Sequence, residues 1–269
     1  MKIAFIGGGM MGEAMISGLI RQASAEPQAI TVSDVDQGRL RVLTERHGVQ
    51  AVAENRQAIR GKDIVVLSVK PQVLPEVSDG LRGELQPGQL VLSIIAGARI
   101  ETLSQQLGHN CIVRVMPNTP AQIGEGISVW TATTAVNSEQ KGMTRAILTA
   151  LGKEIYVTEE KYIDMATAVS GSGPAYVFLM IEALVEAAVH IGMPREMAMA
   201  LVLQTMRGST RIAEVSGKHP AELRNMVTSP GGTTAAGLLR LEEGSLRAIL
   251  TQAIIAAHEK AKELGKEQK

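Results

Sequence analysis

The chain has a single cysteine, Cys111, among its 269 residues, so it can form no internal disulfide. Its five histidines are scattered without the Cys/His spacing of a zinc site. A reducing compartment and a metal-free protein are therefore expected. Aromatic residues are nearly absent: one Trp, three Tyr and two Phe make up 2% of the chain, leaving few platforms on which bases could stack. Neither sign of charge predominates, with 27 Lys and Arg against 27 Asp and Glu. A chain without net charge offers no overall field to hold a phosphate backbone or an anionic membrane. Both observations argue against a nucleic-acid binder. Long apolar runs are also missing. Residues 1–6 open like a signal peptide, but Gly7, Gly8, Gly9, Gly12 and Glu13 interrupt them. Later apolar stretches are broken by charge or glycine before the roughly 18 residues a membrane helix needs. The expectation is a cytoplasmic protein without a membrane partner.

Hydrophobic residues make up 45% of the sequence, enough for a packed core in one large domain or two ordinary ones. The first half alternates short β-branched runs with stretches of helical periodicity, the layout of a doubly wound parallel sheet covered by helices on both faces. Strands are expected at Ile3–Ile6, Ile30–Ser33, 64–69, 90–95, 111–116, 127–130 and 155–157. Helices are expected at 13–22, Gln37–His47, 73–81, Ile100–Leu107 and 138–151. Beyond about Thr158 the strand signals stop, and helices punctuated by Gly and Pro follow. This predicts an α/β domain over 1–158 and an all-α domain over 159–269. Tyr176, Val177, Met180, Ile181, Leu184, Ala187, Ala188 and Ile191 share one helix face. The segment 193–212 is apolar over much more of its circumference, as expected of burial between subunits.

The sharpest local signal is Gly7-Gly8-Gly9-Met10-Met11-Gly12, a GxGxxG that closes the first strand and opens the first helix. The first glycine permits a tight turn, the second lets a pyrophosphate approach the backbone, and the third lets helix and strand pack closely. Asp34 stands 22 residues after Gly12, where an acidic residue is expected to hydrogen-bond the ribose of a dinucleotide. This context predicts a Rossmann-like dinucleotide site. Asp34 favours NAD, yet Arg39 and Arg41 are close enough in sequence to receive a 2'-phosphate, so the choice between NADH and NADPH stays open. Asp34 or Asp36 capping the next helix is the competing reading.

Ser68-Val69-Lys70-Pro71, Ile95-Ala96-Gly97 and Pro117-Asn118-Thr119-Pro120 follow strands, at the sheet edge where open α/β sheets bind ligands. Two glycine-rich turns precede helices in the second half: Ser170-Gly171-Ser172-Gly173-Pro174, and Thr228-Ser229-Pro230-Gly231-Gly232-Thr233-Thr234. Their hydroxyls and backbone amides suit a carboxylate cradle, and equally a capped helix with nothing bound. Cys111, in an apolar strand without a neighbouring base, reads as a buried structural thiol. Glu182, Glu186 and His190 share a helix face, and a solvated or intersubunit face explains them better than a metal.

Through the glycine loop, SVKP, PNTP, SGSGPAY and above all VTSPGGTTAAGLLRLE within residues 220–242, the sequence resembles the pyrroline-5-carboxylate reductase family along nearly its whole length. The resemblance implies a Rossmann domain, a helical domain that interlocks two subunits, and reduction of 1-pyrroline-5-carboxylate to L-proline by NADPH or NADH, the last step of proline biosynthesis. It implies a homodimer or a multiple of dimers. Carried over by position, cofactor contacts fall on Ile6, Gly7, Gly8, Gly9, Met10 and Met11, with Gly12 completing the fingerprint, and on Ser33, Asp34, Asn55, Val69, Lys70, Pro71 and Ala96. Substrate contacts fall on Glu160, Thr233 and Thr234, with Ser229 and Gly232 nearby, and Thr234 is the candidate catalytic hydroxyl. Two rivals remain: a related Rossmann reductase of another imine or a 3-hydroxy acid, for which no suitable lysine stands beside SGSGP, and a non-catalytic nucleotide sensor.

Overall fold

The computed structural model of the chain describes residues 1–267 and side chains as far as Lys266. Eight strands form one sheet: β1 (Ile3–Ile6), β2 (Ile30–Ser33), β3 (Gln50–Val52), β4 (Ile64–Leu67), β5 (Leu90–Ser93), β6 (Ile112–Met116), β7 (Gly126–Ala132) and β8 (Gly152–Tyr156). Their spatial order is β3-β2-β1-β4-β5-β6-β7-β8. The chain therefore leaves β1 in one direction and returns across it to β4, the reversal that opens a ligand crevice at the strands' carboxyl ends. All pairings are parallel except β6 with β7. Residues 117–125 between those two are too few for a crossover, and the tight helical turn at Thr119–Ile123 reverses the chain instead.

Helices follow in the order α1 (Met10–Arg21), α2 (Gln37–His47), α3 (Asn55–Ala58), α4 (Leu74–Leu81), α5 (Ile100–Leu107), α6 (Ser138–Thr149), α7 (Lys161–Ala166), α8 (Gly173–His190), α9 (Arg195–Ser216), α10 (Pro220–Met226), α11 (Thr233–Glu243) and α12 (Leu246–Glu267). β1, β2, β4 and β5 are buried on both faces, which is why β1 and β4 read as continuous apolar runs, while β2 and β5 also bury Thr31, Ser33 and Ser93. One face of the sheet puts Phe5, Val32, Val66 and Leu92 in a core with Met15, Ile16, Leu19, Ile147 and Leu148. The other puts Ile6, Val65, Leu67 and Val91 in a core with Ala58, Leu74, Leu81 and Leu103. Each of these Val, Leu, Ile, Phe and Met side chains contributes roughly 1.5–3 kcal/mol on burial.

The chain divides into two compact units, one of Met1–Pro174 with the chain from Ala256 on, the other Ala175–Ile255. In the second unit, apolar residues remain uncovered: Phe178, Leu179, Ile191, Met197, Leu201, Ile212 and Leu239 are all exposed. Only Val185 in α8 and Ala198 in α9 are buried. One expectation needs correction. Lys161–His190 holds an 18-residue window of mean hydropathy 1.4, long and apolar enough by length and composition alone to cross a membrane. Gly171 closes a π turn at Thr167–Gly171 and, after a bend at Ser172, Gly173 opens α8, so the two glycines shape the run without ending it. Cys111 is half-buried in a loop just before β6 rather than inside the strand.

Candidate functional site

β1 ends at Ile6 and the chain turns at once into α1. Gly7 has φ +97°, and a Cβ there would lie 2.9 Å from the Ser68 carbonyl oxygen. Gly12 packs the helix onto the turn, since a Cβ on it would stand 2.8 Å from the Gly7 carbonyl oxygen. Gly9 differs: nothing lies within 4 Å of the place its Cβ would take. As N-cap of α1 it supplies no side-chain bond to the first turn. The amides of Met10, Met11 and Gly12 are thus without intrahelical partners at the positive end of the helix dipole. A cradle that a side chain on Gly9 would fill, floored by free amides, fits a pyrophosphate.

The Gly8 peptide is gripped from both sides. Its N–H donates to Asp34 Oδ2 at 2.6 Å, and its carbonyl accepts from Arg39 Nε. Asp34 Oδ1 accepts the Asp36 N–H at 3.0 Å, while Asp36 caps α2 through the N–H groups of Gly38 and Arg39. Asp36 is therefore the helix cap and Asp34 serves the loop. Arg39 Nη2 also pairs with Glu13 Oε2 at 2.5 Å, and Glu13 Oε1 meets Arg46 Nη1 at 2.8 Å and His47 Nε2 at 3.0 Å. Burial raises the Glu13 carboxyl, but hydrogen bonds from His47 and Arg39 and the charges of Arg39 and Arg46 outweigh it and hold the group at about 2. Sequence reasoning missed Glu13 and His47. Their only signal was an acidic residue in the first turn of α1 and basic residues in the last turn of α2.

A cavity of about 540 Å³ opens at the carboxyl edge of the sheet, lined among others by Ile6, Gly7, Ser33, Asp34, Asn55 and Val69. Six residues of the expected cofactor set thus share one space. Ser33 is fully buried and donates from Oγ to Asn55 Oδ1 at 2.7 Å, so β2 and α3 are tied at the cavity wall. Ser68 Oγ donates to the Gly7 carbonyl at 2.7 Å and holds the β4 edge to the glycine loop. Lys70 and Pro71 continue that edge, and Ala96 follows β5.

The expected substrate residues fall in different units. Glu160 belongs to the first, where its Oε1 accepts the Ile100 N–H at 2.9 Å and Arg114 Nη1 at 2.7 Å. Arg114 is 1% exposed and pairs through Nη2 with Asp164 at 2.7 Å. Sequence reasoning missed this pair, although an arginine inside the apolar strand β6 was its signal. In the second unit Gly232 is the N-cap of α11 without a side-chain bond to the helix, and Gly231 has φ +69°. A Cβ on Gly232 would lie 2.5 Å from Ser229 Oγ, so that hydroxyl crowds the turn. Thr233 is exposed and Thr234 half-buried at the helix start. Glu186, one of the three residues on the α8 face, pairs with Arg195 at 2.7 Å.

The reversal of strand order at β1, the open Gly9 and the acid-anchored loop define a dinucleotide-binding protein of the Rossmann class. Residues 2–97 match a family model described as NADP oxidoreductase coenzyme F420-dependent, and residues 160–264 one described as pyrroline-5-carboxylate reductase dimerisation. The pyrroline-5-carboxylate reductase of Methanosarcina acetivorans is 40% identical over 266 residues, covering 98% of each chain. That of Arabidopsis thaliana is 38% identical, covering 98% of this chain and 95% of its own. A Plasmodium falciparum pyrroline carboxylate reductase structure with NADP bound superposes with a TM-score of 0.91 at 34% identity, covering 98% of both chains. The chain belongs to the pyrroline-5-carboxylate reductase family, whose members are NAD(P)H-dependent oxidoreductases.

Proposed function

We propose that this chain reduces 1-pyrroline-5-carboxylate to L-proline, the closing step of proline biosynthesis, as a soluble cytoplasmic homodimer or multiple of dimers. The observation that carries the reading is the open glycine cradle in a chain matched along almost its whole length by reductases of that name. Gly9, the amides of Met10 to Gly12, Asp34, Ser33, Asn55, Val69 to Pro71 and Ala96 hold the coenzyme. A reduced nicotinamide, when bound, supplies the hydride. The protein's own task is chiefly positioning, since a protonated imine is already electrophilic and needs to be held about 3–3.5 Å from its donor with water excluded.

Thr233 and Thr234, with the amides at the start of α11, grip the substrate carboxylate, supported by Ser229 and Gly232. The Thr234 hydroxyl, or a water it holds, supplies the single proton that makes the ring nitrogen cationic before the hydride arrives and is itself reprotonated from solvent; hydride addition to the carbon then leaves the neutral amine. Glu160 contributes through Oε2, since Oε1 is engaged by Ile100 and Arg114. The division of labour follows the sequence: 1–158 for the coenzyme, 159–269 for substrate and dimerisation. The uncovered apolar faces of α8 and α9 support a second copy as their cover. The test is loss of nicotinamide absorbance on adding 1-pyrroline-5-carboxylate to protein and NADH or NADPH. Stoichiometric appearance of proline is expected, and no turnover with either coenzyme overturns the proposal.

A further inference from the structure

Resting on that reading, we infer that this chain discriminates against a 2'-phosphorylated coenzyme and takes NADH in preference to NADPH. The charged residues lining the 540 Å³ cavity are Asp34, Glu54, Glu76 and Arg56, three anions against one cation. Asp34 ends the β2 edge and cannot swing aside, because Gly8 N–H holds Oδ2 and Asp36 N–H holds Oδ1. Each oxygen keeps a further lone pair, and a ribose hydroxyl can donate to it. A phosphate monoester offers the carboxylate no such donor near neutral pH and brings about 1.5–2 negative charges of its own.

Of the arginines that could receive such a phosphate, Arg56 stands in the cavity wall but is already bonded there, Arg39 is tied to the glycine loop, and Arg41 faces another cavity. Arg56 donates from Nε to the Gly80 carbonyl at 2.9 Å and faces Glu84 at 3.6 Å. Arg39 holds the Gly8 carbonyl and Glu13. To turn towards a 2'-phosphate it would release the peptide that shapes the pyrophosphate cradle. Arg41 lines a different cavity, with Gln37, Leu40, Thr44 and Glu45. Like charges are thus fixed at the cavity, and the compensating ones are tied into the scaffold.

The test is direct titration of the protein with NADH and with NADPH, without imine, by nicotinamide fluorescence or calorimetry. NADH is expected to bind at least about tenfold more tightly. Asp34→Asn keeps an acceptor for the Gly8 N–H and removes the charge, so both affinities can fall while their ratio narrows to about threefold or inverts. Equal or tighter binding of NADPH to the native chain overturns the inference. So does an unchanged ratio in Asp34→Asn. Because no imine is present, the two readings fail separately. An NADH-selective protein that leaves 1-pyrroline-5-carboxylate untouched sinks the proposed activity alone, and one that reduces it yet binds both coenzymes equally sinks the selectivity alone.

Discussion

Gly7 and Gly9 are two residues apart in one loop, and the structure assigns them opposite sensitivities. At Gly9 the backbone is extended, with φ −62° and ψ −176°, and nothing lies within 4 Å of the Cβ position, so Gly9→Val introduces no backbone strain and its Cβ meets no protein atom. Its methyls occupy the approach to the amides of α1. Losing one charge-assisted hydrogen bond to the pyrophosphate removes about 1.5–3 kcal/mol, roughly 10- to 150-fold in Kd. At Gly7, φ +97° costs an L-residue about 1–2 kcal/mol, and a Cβ 2.9 Å from the Ser68 carbonyl adds about 1–3 through overpacking. Gly7→Ala should therefore lower the melting temperature by about 4–20 °C, at 2–4 °C per kcal/mol for a chain near this size. Thermal unfolding and NADH titration of both variants form the assay. Native melting with weakened binding is expected of Gly9→Val, and weakened melting of Gly7→Ala. Native coenzyme affinity in Gly9→Val would refute the assignment of the cradle, and a native melting temperature in Gly7→Ala would refute the steric account.

Thr234→Val keeps the β-branch and deletes one hydroxyl, so folding and coenzyme binding should survive while kcat/KM for the imine falls roughly 10- to 150-fold. A rise in KM alone assigns the hydroxyl to the carboxylate, a fall in kcat as well assigns it to proton transfer, and native kinetics remove Thr234 from the site. Glu13, held at about 2 against an ordinary 4.5, contributes stability that is complete above about pH 4.5 and lost as pH falls towards 2. Glu13→Gln should thus be less stable than the native chain at pH 6 by roughly 2–3 kcal/mol, with the gap narrowing at pH 3.5 in denaturant titrations. A gap of the same size at both values would show that the ion pairs do not carry it.

Legibility in the sequence follows burial. β1, β2, α2 and α5 are read with the bounds the structure gives, because strands buried on both faces and helices with one apolar stripe leave continuous or periodic patterns. β3 leaves neither: Gln50 and Ala51 are exposed on an edge strand, and only the parallel pairing of Thr31 to Ser33 makes it a strand. The coenzyme loop is legible for a related reason, since the work of Gly7 and Gly12 lies in what their missing side chains would strike. The strap from Glu13 to Arg39, Arg46 and His47 is invisible there, because it needs α1 and α2 side by side before residues more than 25 positions apart can meet.

The helical half poses a different difficulty. Its sequence marks one apolar face along α8 from Tyr176 to Ile191, but Val177, Leu184 and Ile191 on it are exposed while the buried Val185 lies off it, and periodicity says only that a face must be covered and never by what. The same letters at 228–234 make a carboxylate cradle or an ordinary helix start, and a single chain leaves both readings available, with Thr233 exposed and α11 uncapped by any side chain. Burial resolves part of this. A unit that exposes Phe178, Leu179 and Ile191 departs from the rule that β1, β2, β4 and β5 obey, and such a departure points to another molecule that completes the structure. On the proposed reading, dimer assembly through α8 and α9 and substrate binding at the start of α11 fall within the same helical unit. A substitution that weakens the α8 or α9 face should act on the imine reaction through subunit concentration, while coenzyme affinity, governed within the first unit, stays as it was.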